Sequence, residues 1–175
     1  KKYRGMTIAE AAKIRNESPE EAIVNLIIED ESRIQCIYFS MSEENIRKKI
    51  MLPWVSFDSD AGSYSDISKD FITHPRAFGS FVRVLGKYVR DEKLISMEDA
   101  IRRLSGFPAD NLGINNRGYL KPGYYADIVV FDPDLIDDKA TFEKPLQFAV
   151  GVEQVFVNGV QVISKGEHTD KFPGR

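Results

Sequence analysis

At Gly113 the hydrophobic rhythm of this chain changes, and the change limits what it can fold into. Before that point apolar residues recur at three- and four-residue spacings, the stripe of an amphipathic helix. After it, Gly118, Pro122 and Gly123 punctuate the sequence, and short apolar runs alternate with turn residues. A helical part followed by a β part is therefore expected. No internal repeat or low-complexity tract interrupts either.

Caps locate the helices. Thr7 with Glu10 has the capping-box pattern ahead of Ile8, Ala11 and Ala12. Ser18-Pro19-Glu20-Glu21 is a stronger start, because Ser18 can cap, Pro19 suits the first helical position and Glu21 can reach back to the cap. Ala22, Ile23, Leu26 and Ile27 then form one apolar stripe. Residues 34–39 are a short apolar run rich in β-formers and predict a buried strand. Ser42 opens a helix over 43–50, Pro53 blocks its continuation, and 54–57 predicts a second strand. Residues 58–76 have no period and read as a loop whose length is often functional. Phe78, Phe81, Val82, Leu85, Tyr88 and Val89 mark a long amphipathic helix, and Ser96 with Asp99 opens another carrying Met97, Ala100, Ile101 and Leu104. Residues 108–112 add one turn, stopped by Gly113. In the β part, 128–131 and 152–157 are strands. Asn158-Gly159 is the preferred dipeptide of a two-residue type I′ hairpin, and 160–163 returns.

Composition excludes several classes. The charge is -3, from 24 Lys and Arg against 27 Asp and Glu, and no basic block stands out, so nucleic acid is not an expected partner. No apolar run approaches the roughly 18 residues of a membrane helix, and KKYRGMTIAE does not read as a secretory leader. Cys36 is the single cysteine, which rules out an intrachain disulfide framework and fits a reducing, cytoplasmic setting. The first residue is Lys1 rather than Met, which leaves open that the chain is a piece of a longer protein.

The stretch WVSFDSDAG, residues 54–62, is the first candidate site. It carries Asp58 and Asp60 at the end of a predicted strand that follows a helix, where α/β architectures build sites. Read locally, these are turn aspartates whose side chains bond their own backbone. His74-Pro75-Arg76 ends the loop. Arg76 offers a planar fork suited to a carboxylate, against the plainer reading of a solvated helix-start arginine. His74 has no His or Cys at ligand spacing and reads as structural. His168 reads as exposed, Cys36 as a small packed hydrophobe, and Tyr119, Tyr124 and Tyr125 as packing residues. No phosphate-cradling glycine loop, G-x-S-x-G elbow or H-E-x-x-H motif is present.

Several stretches together carry a resemblance. FDSDAG, HPRAFGSFVRVLGKYVRDE and RGYLKPGYYADIVVFDPD resemble the C-terminal part of N-acyl-D-amino-acid deacylases, the D-aminoacylases of the amidohydrolase superfamily. ATFEKPLQFAVGVEQVFVNGVQV and GEHTDKFPGR resemble that family's tail. The PGYYADIVVFD and VEQVFVNGVQV segments are superfamily-wide, whereas the HPR stretch marks the deacylase branch.

The resemblance implies an α/β fold: the C-terminal portion of a metal-dependent (β/α)8 barrel with a segment of a small β-sandwich. Residues 1–113 would be barrel with a helical insertion, the last barrel strand lying near 54–58, and 114–175 would belong to the sandwich. A closed barrel with its sandwich needs roughly 250 residues or more, so the chain reads as a C-terminal piece whose partner is the N-terminal remainder. The implied reaction is hydrolysis of an N-acyl-D-amino acid to a D-amino acid and a carboxylate. The implied cofactor is zinc, held mainly by an H-x-H or H-x-D pair, a Cys or carboxylated Lys, and two His that lie upstream in the family. Ser59-Asp60-Ala61 matches the family's Ser-Asp-Gly, with Ala61 in place of Gly. That makes Asp60 the catalytic carboxylate and a possible metal ligand, and Arg76 the residue that holds the substrate's α-carboxylate. With two His and one Cys in all, the chain by itself is expected to bind no zinc and to be inactive. The alternatives are an amidohydrolase acting on a cyclic amide or dipeptide, and a non-catalytic structural or assembly module.

Overall fold

The computed structural model describes residues 2–31, 34, 36–62 and 73–174. The chain divides into two compact units, Lys1–Ser40 and Met41–Arg175.

The first unit is a pair of helices, α1 (Ile8–Arg15) and α2 (Pro19–Asp30), each opened by a complete capping box as the sequence predicts. Asn16 turns the chain between them in the left-handed region, φ 57°, which asparagine tolerates better than most residues. Arg15 ties the turn to α2 through Glu17 at 2.8 Å and Glu29 at 2.6 Å. Buried Ala11, Ala12 and Ala22 let the helices approach closely. The expected α2 stripe is buried only at Ala22, while Ile23 and Ile27 are exposed. Past α2 the expected strand does not form at 36–39, and Ile37, Tyr38 and Phe39 are exposed. Cys36 is also exposed rather than packed. A single apolar run cannot make a strand, because its N–H and C=O groups need a neighbouring ladder.

The second unit begins with α3 (Glu43–Ile50), started by Ser42 as predicted. The long amphipathic helix is real but changes pitch: α4 (Arg76–Arg83) runs directly into a π-helical stretch, Val84–Asp91. Then come α5 (Met97–Leu104) and α6 (Gly106–Asn111). Strands β1 (Ile128–Phe131), β2 (Val152–Val157), β3 (Val160–Ser164) and β4 (Glu167–His168) form a four-stranded antiparallel meander in chain order. Val157 faces Val160 across the predicted hairpin. Asn158 at φ 49° and Gly159 at φ 79° supply the two positive angles that a type I′ turn requires.

Helices and sheet share one core. Val84, Leu85 and Val89 meet Ala100 and Ile136, with Phe57, Phe131 and Val152 packed around them. Gly86 permits this approach, since a Cβ there would lie 2.7 Å from the Ile136 carbonyl oxygen.

The expected strand over 54–57 also has no ladder. Burial still alternates: Val55, Phe57, Ser59 and Ala61 are half-buried, whereas Trp54, Ser56, Asp58 and Asp60 are exposed. The segment thus has the period of a strand without strand neighbours, and the carbonyls of Pro53 and Val55 accept instead from arginines of α5. Among the described residues the one sheet is antiparallel, and no helix is long and apolar enough to cross a membrane.

Candidate active site

The two residues singled out by sequence come together. Arg76 is the first residue of α4, and its Nη1 lies 2.9 Å from Oδ2 of Asp60. The side chains are 44% and 83% exposed. An ion pair so open to water contributes only about 0–1 kcal/mol to stability.

Asp60 and Asp58 differ in what they do. Asp58 accepts the Ser59 amide at 2.7 Å, the local turn bond that the plainer reading expects. Ser59 Oγ in turn accepts the Ala61 amide at 3.3 Å. Asp60 sits between these bonds at φ 48°. Aspartate and asparagine are among the few residues that occupy this region at modest cost. The backbone turns there, and the Asp60 carboxylate meets Arg76.

His74 and Pro75 set the start of α4. The His74 and Pro75 carbonyls accept the amides of Ala77 and Phe78 at 3.1 and 3.0 Å. His74 Nδ1 accepts the Arg76 amide at 3.1 Å, and its ring stands edge-on to Phe142 at 5.2 Å. Burial, reinforced by the nearby Arg76 charge, lowers the His74 pKa, so the imidazole is held neutral as an acceptor. It is a structural histidine. His168 is exposed as expected and lies 5.2 Å from the Phe172 ring. Tyr119 and Tyr124 pack edge to face at 6.4 Å.

Sequence reasoning missed Arg103. The apolar stripe of Met97, Ala100, Ile101 and Leu104 does not point to it. In the fold Ile101 is 39% exposed and Arg103 is fully buried. The available signal was Asp99 four residues ahead, which pairs with Arg103 at 3.2 Å.

Among the described residues no three His, Cys, Asp or Glu side chains come together as a metal site. These residues do not make a zinc centre by themselves, and Asp60 could add at most one carboxylate ligand to a centre built elsewhere.

Asp60 and Arg76 thus form an exposed carboxylate–guanidinium pair between the turn after residue 57 and the start of α4. The amidohydrolase family profile matches residues 55–163, which include both side chains, and the chain belongs to that family. It is similar to the D-aminoacylase of Alcaligenes xylosoxydans xylosoxydans, 39% identical over 139 residues that cover 79% of this chain and 28% of that enzyme. It is also 37% identical over 155 residues to the N-acyl-D-aspartate deacylase of the same organism, covering 85% of this chain and 30% of the relative. Among solved structures, the N-acyl-D-glutamate deacylase from Bordetella bronchiseptica aligns with a TM-score of 0.80 and 35% identity, over 94% of this chain and 33% of that one. That structure is complexed with zinc and a phosphonate inhibitor that mimics the reaction's tetrahedral intermediate. The chain thus spans about 30% of the length of the N-acyl-D-aspartate deacylase, and the other relatives give similar shares.

Proposed function

We propose that the complete protein hydrolyses N-acyl-D-amino acids, with Asp60 as its catalytic carboxylate and Arg76 as the residue that binds the substrate's α-carboxylate. The pairing of Asp60 with Arg76 at 2.9 Å carries this reading. It puts a proton acceptor in direct contact with a positive charge that a substrate carboxylate can take over. The substrate's α-carboxylate competes with Asp60 for the guanidinium. Binding exchanges one carboxylate for another and frees Asp60. Asp60 then takes a proton from the attacking water as its oxygen adds to the acyl carbon. It returns that proton to the nitrogen as the C–N bond breaks, releasing a D-amino acid and a carboxylate.

In this reading the complete protein uses zinc, supported by the zinc-bound relative, and the ion would supply Lewis-acid activation of water. Its ligands come from the N-terminal remainder, and Asp60 is a possible further ligand. Residues 1–113 are then barrel with a helical insertion, with 54–58 as its last strand once neighbours pair with it. Residues 114–175 are a β-sandwich segment. A reducing, cytoplasmic setting accords with the exposed thiol of Cys36. The 175-residue chain alone is expected to bind no stoichiometric zinc and to release no amino acid, as metal analysis and a ninhydrin assay would reveal.

The test is Asp60→Asn in the complete, zinc-loaded protein. Asparagine keeps the left-handed turn but cannot accept the proton. Turnover should fall by about 10²–10⁴-fold with zinc content unchanged. Asp58→Asn is the control and should leave kcat within a few-fold. Inactivation by the Asp58 change, or retained turnover after the Asp60 change, would reject the assignment.

A further inference from the structure

Arg103 is the one buried charged side chain among the described residues, with no exposed area. A guanidinium taken out of water is costly unless its donors are satisfied. Here Nε donates to the Val55 carbonyl and Nη1 to the Ile50 carbonyl, both at 2.6 Å. Nη1 also donates to Asp99 Oδ2 at 3.2 Å. The guanidinium carbon lies 4.6 Å from the centre of the Phe57 ring. Nη2 is buried with no partner. Beside it, Arg102 donates to the Pro53 carbonyl at 2.9 Å and is braced by the same Asp99. One end of α5 therefore grips the carbonyls of Ile50, Pro53 and Val55 and the face of Phe57. These positions lead directly to Asp60.

An ordinary strand is aligned by its ladder, and 54–57 has none among the described residues. Among the described residues the arginine grip sets its height and rotation, and a ladder from barrel neighbours in the complete protein would add to that grip. The fork meets the two carbonyls from two separate nitrogens in a fixed plane, whereas a lysine ammonium gathers its three donors on one atom.

We infer that Arg103 is a positioning residue for the reaction: by holding Ile50, Val55 and Phe57 it fixes where the Asp60 carboxylate stands relative to Arg76 and the substrate. The inference rests on the assignment of Asp60 given above. A displacement of about 1 Å in a reacting group can cost on the order of 100-fold in rate.

The experiment is a double-variant cycle in the complete, zinc-loaded protein with an N-acyl-D-amino acid. Arg103→Lys should lower kcat by about 10–100-fold, leaving KM within a few-fold and zinc content unchanged. Combined with Asp60→Asn it should cost nothing further, because a misplaced base and an absent base are equivalent. Losses that multiply in the double variant, or an Arg103→Lys protein that loses thermal stability but keeps its kcat, would overturn the inference. If Arg103→Lys does not fold, Arg102→Gln decides. It leaves Arg103 in place but removes the Pro53 contact together with the Arg102 bonds to Asp99 and its stacking on Phe107, and should give a smaller loss, confined to kcat and absent from the Asp60→Asn background. An unchanged kcat there would overturn the inference. A normal kcat for Asp60→Asn alone would instead reject the assignment of Asp60, so the two failures are distinguishable.

Discussion

Residues 152–157 and residues 54–57 read alike in sequence, each a short apolar run with β-forming residues, yet only the first forms a hydrogen-bonded strand. The difference is where the partner lies. β2 finds β3 across Asn158-Gly159, a two-residue turn away, and Val157 faces Val160. Residues 54–57 have no hairpin turn to return a second run beside them, and a strand needs a neighbour to take up its N–H and C=O groups. Residues 36–39 fail for the same reason. Apolar pattern gives the tendency to extend, and the partner's distance along the chain decides whether a strand results.

This contrast can be broken most strongly in the shared core. Ile136 is 1% exposed and joins the sheet to the π-helical stretch. Ile136→Ala should destabilise the chain by about 2–5 kcal/mol in urea unfolding. Trp54→Ala, at a residue 68% exposed in the unladdered 54–57 run, should stay within about 0.5 kcal/mol. Equal losses would mean that the unladdered run is packed after all.

Next in size is Arg76, on the side of the molecule where pairing is by side chains. In the complete protein, Arg76→Ala should cost about 2–4 kcal/mol in kcat/KM for N-acyl-D-amino acids, mainly through KM. Substrates with an amidated α-carboxylate should be poor for the native protein and indifferent to the change. Steady-state kinetics on both substrates gives the answer, and equal losses would make Arg76 structural.

The hairpin itself can be loosened. Gly159→Ala puts a Cβ at φ 79° and should cost about 1–2 kcal/mol, read from the unfolding midpoint. The same change at Gly174, whose added Cβ meets nothing within 4 Å, should be silent.

The smallest effect is on pH. The folded pKa of His74 lies below its ordinary value of 6.5. Between the folded and unfolded pKa values the unfolded chain binds more protons, so stability is fully present above about 6.5 and declines as pH falls through that value. Melting temperatures measured between pH 7.5 and 5.5 should show a fall that His74→Gln removes.

What was legible in the sequence is what is decided locally. Thr7, Ser18, Ser42 and Ser96 cap the helices they were expected to cap, each accepting an amide within its own first turn. The Asn158-Gly159 turn is equally local. Asp60 and Arg76 stand out in the FDSDAG and HPR stretches, and the fold adds that they pair at 2.9 Å. Three features were not legible. The π-helical stretch shares its apolar spacing with an α-helix. Arg103 lies inside because only tertiary structure brings the carbonyls of Ile50 and Val55 to it. Cys36 and the α2 stripe are exposed because burial depends on what packs against them.

Trp54 is the chain's only tryptophan, 68% exposed and next to the carbonyl that Arg102 holds. The 175-residue chain therefore carries a single indole a few residues from Asp60, beside seven tyrosines that excitation at the red edge leaves dark. Its emission colour and its quenching by acrylamide report on the 54–62 segment of this chain. Anything that closes over that segment will shift the light towards blue, so assembly around Asp60 can be followed in real time without a label.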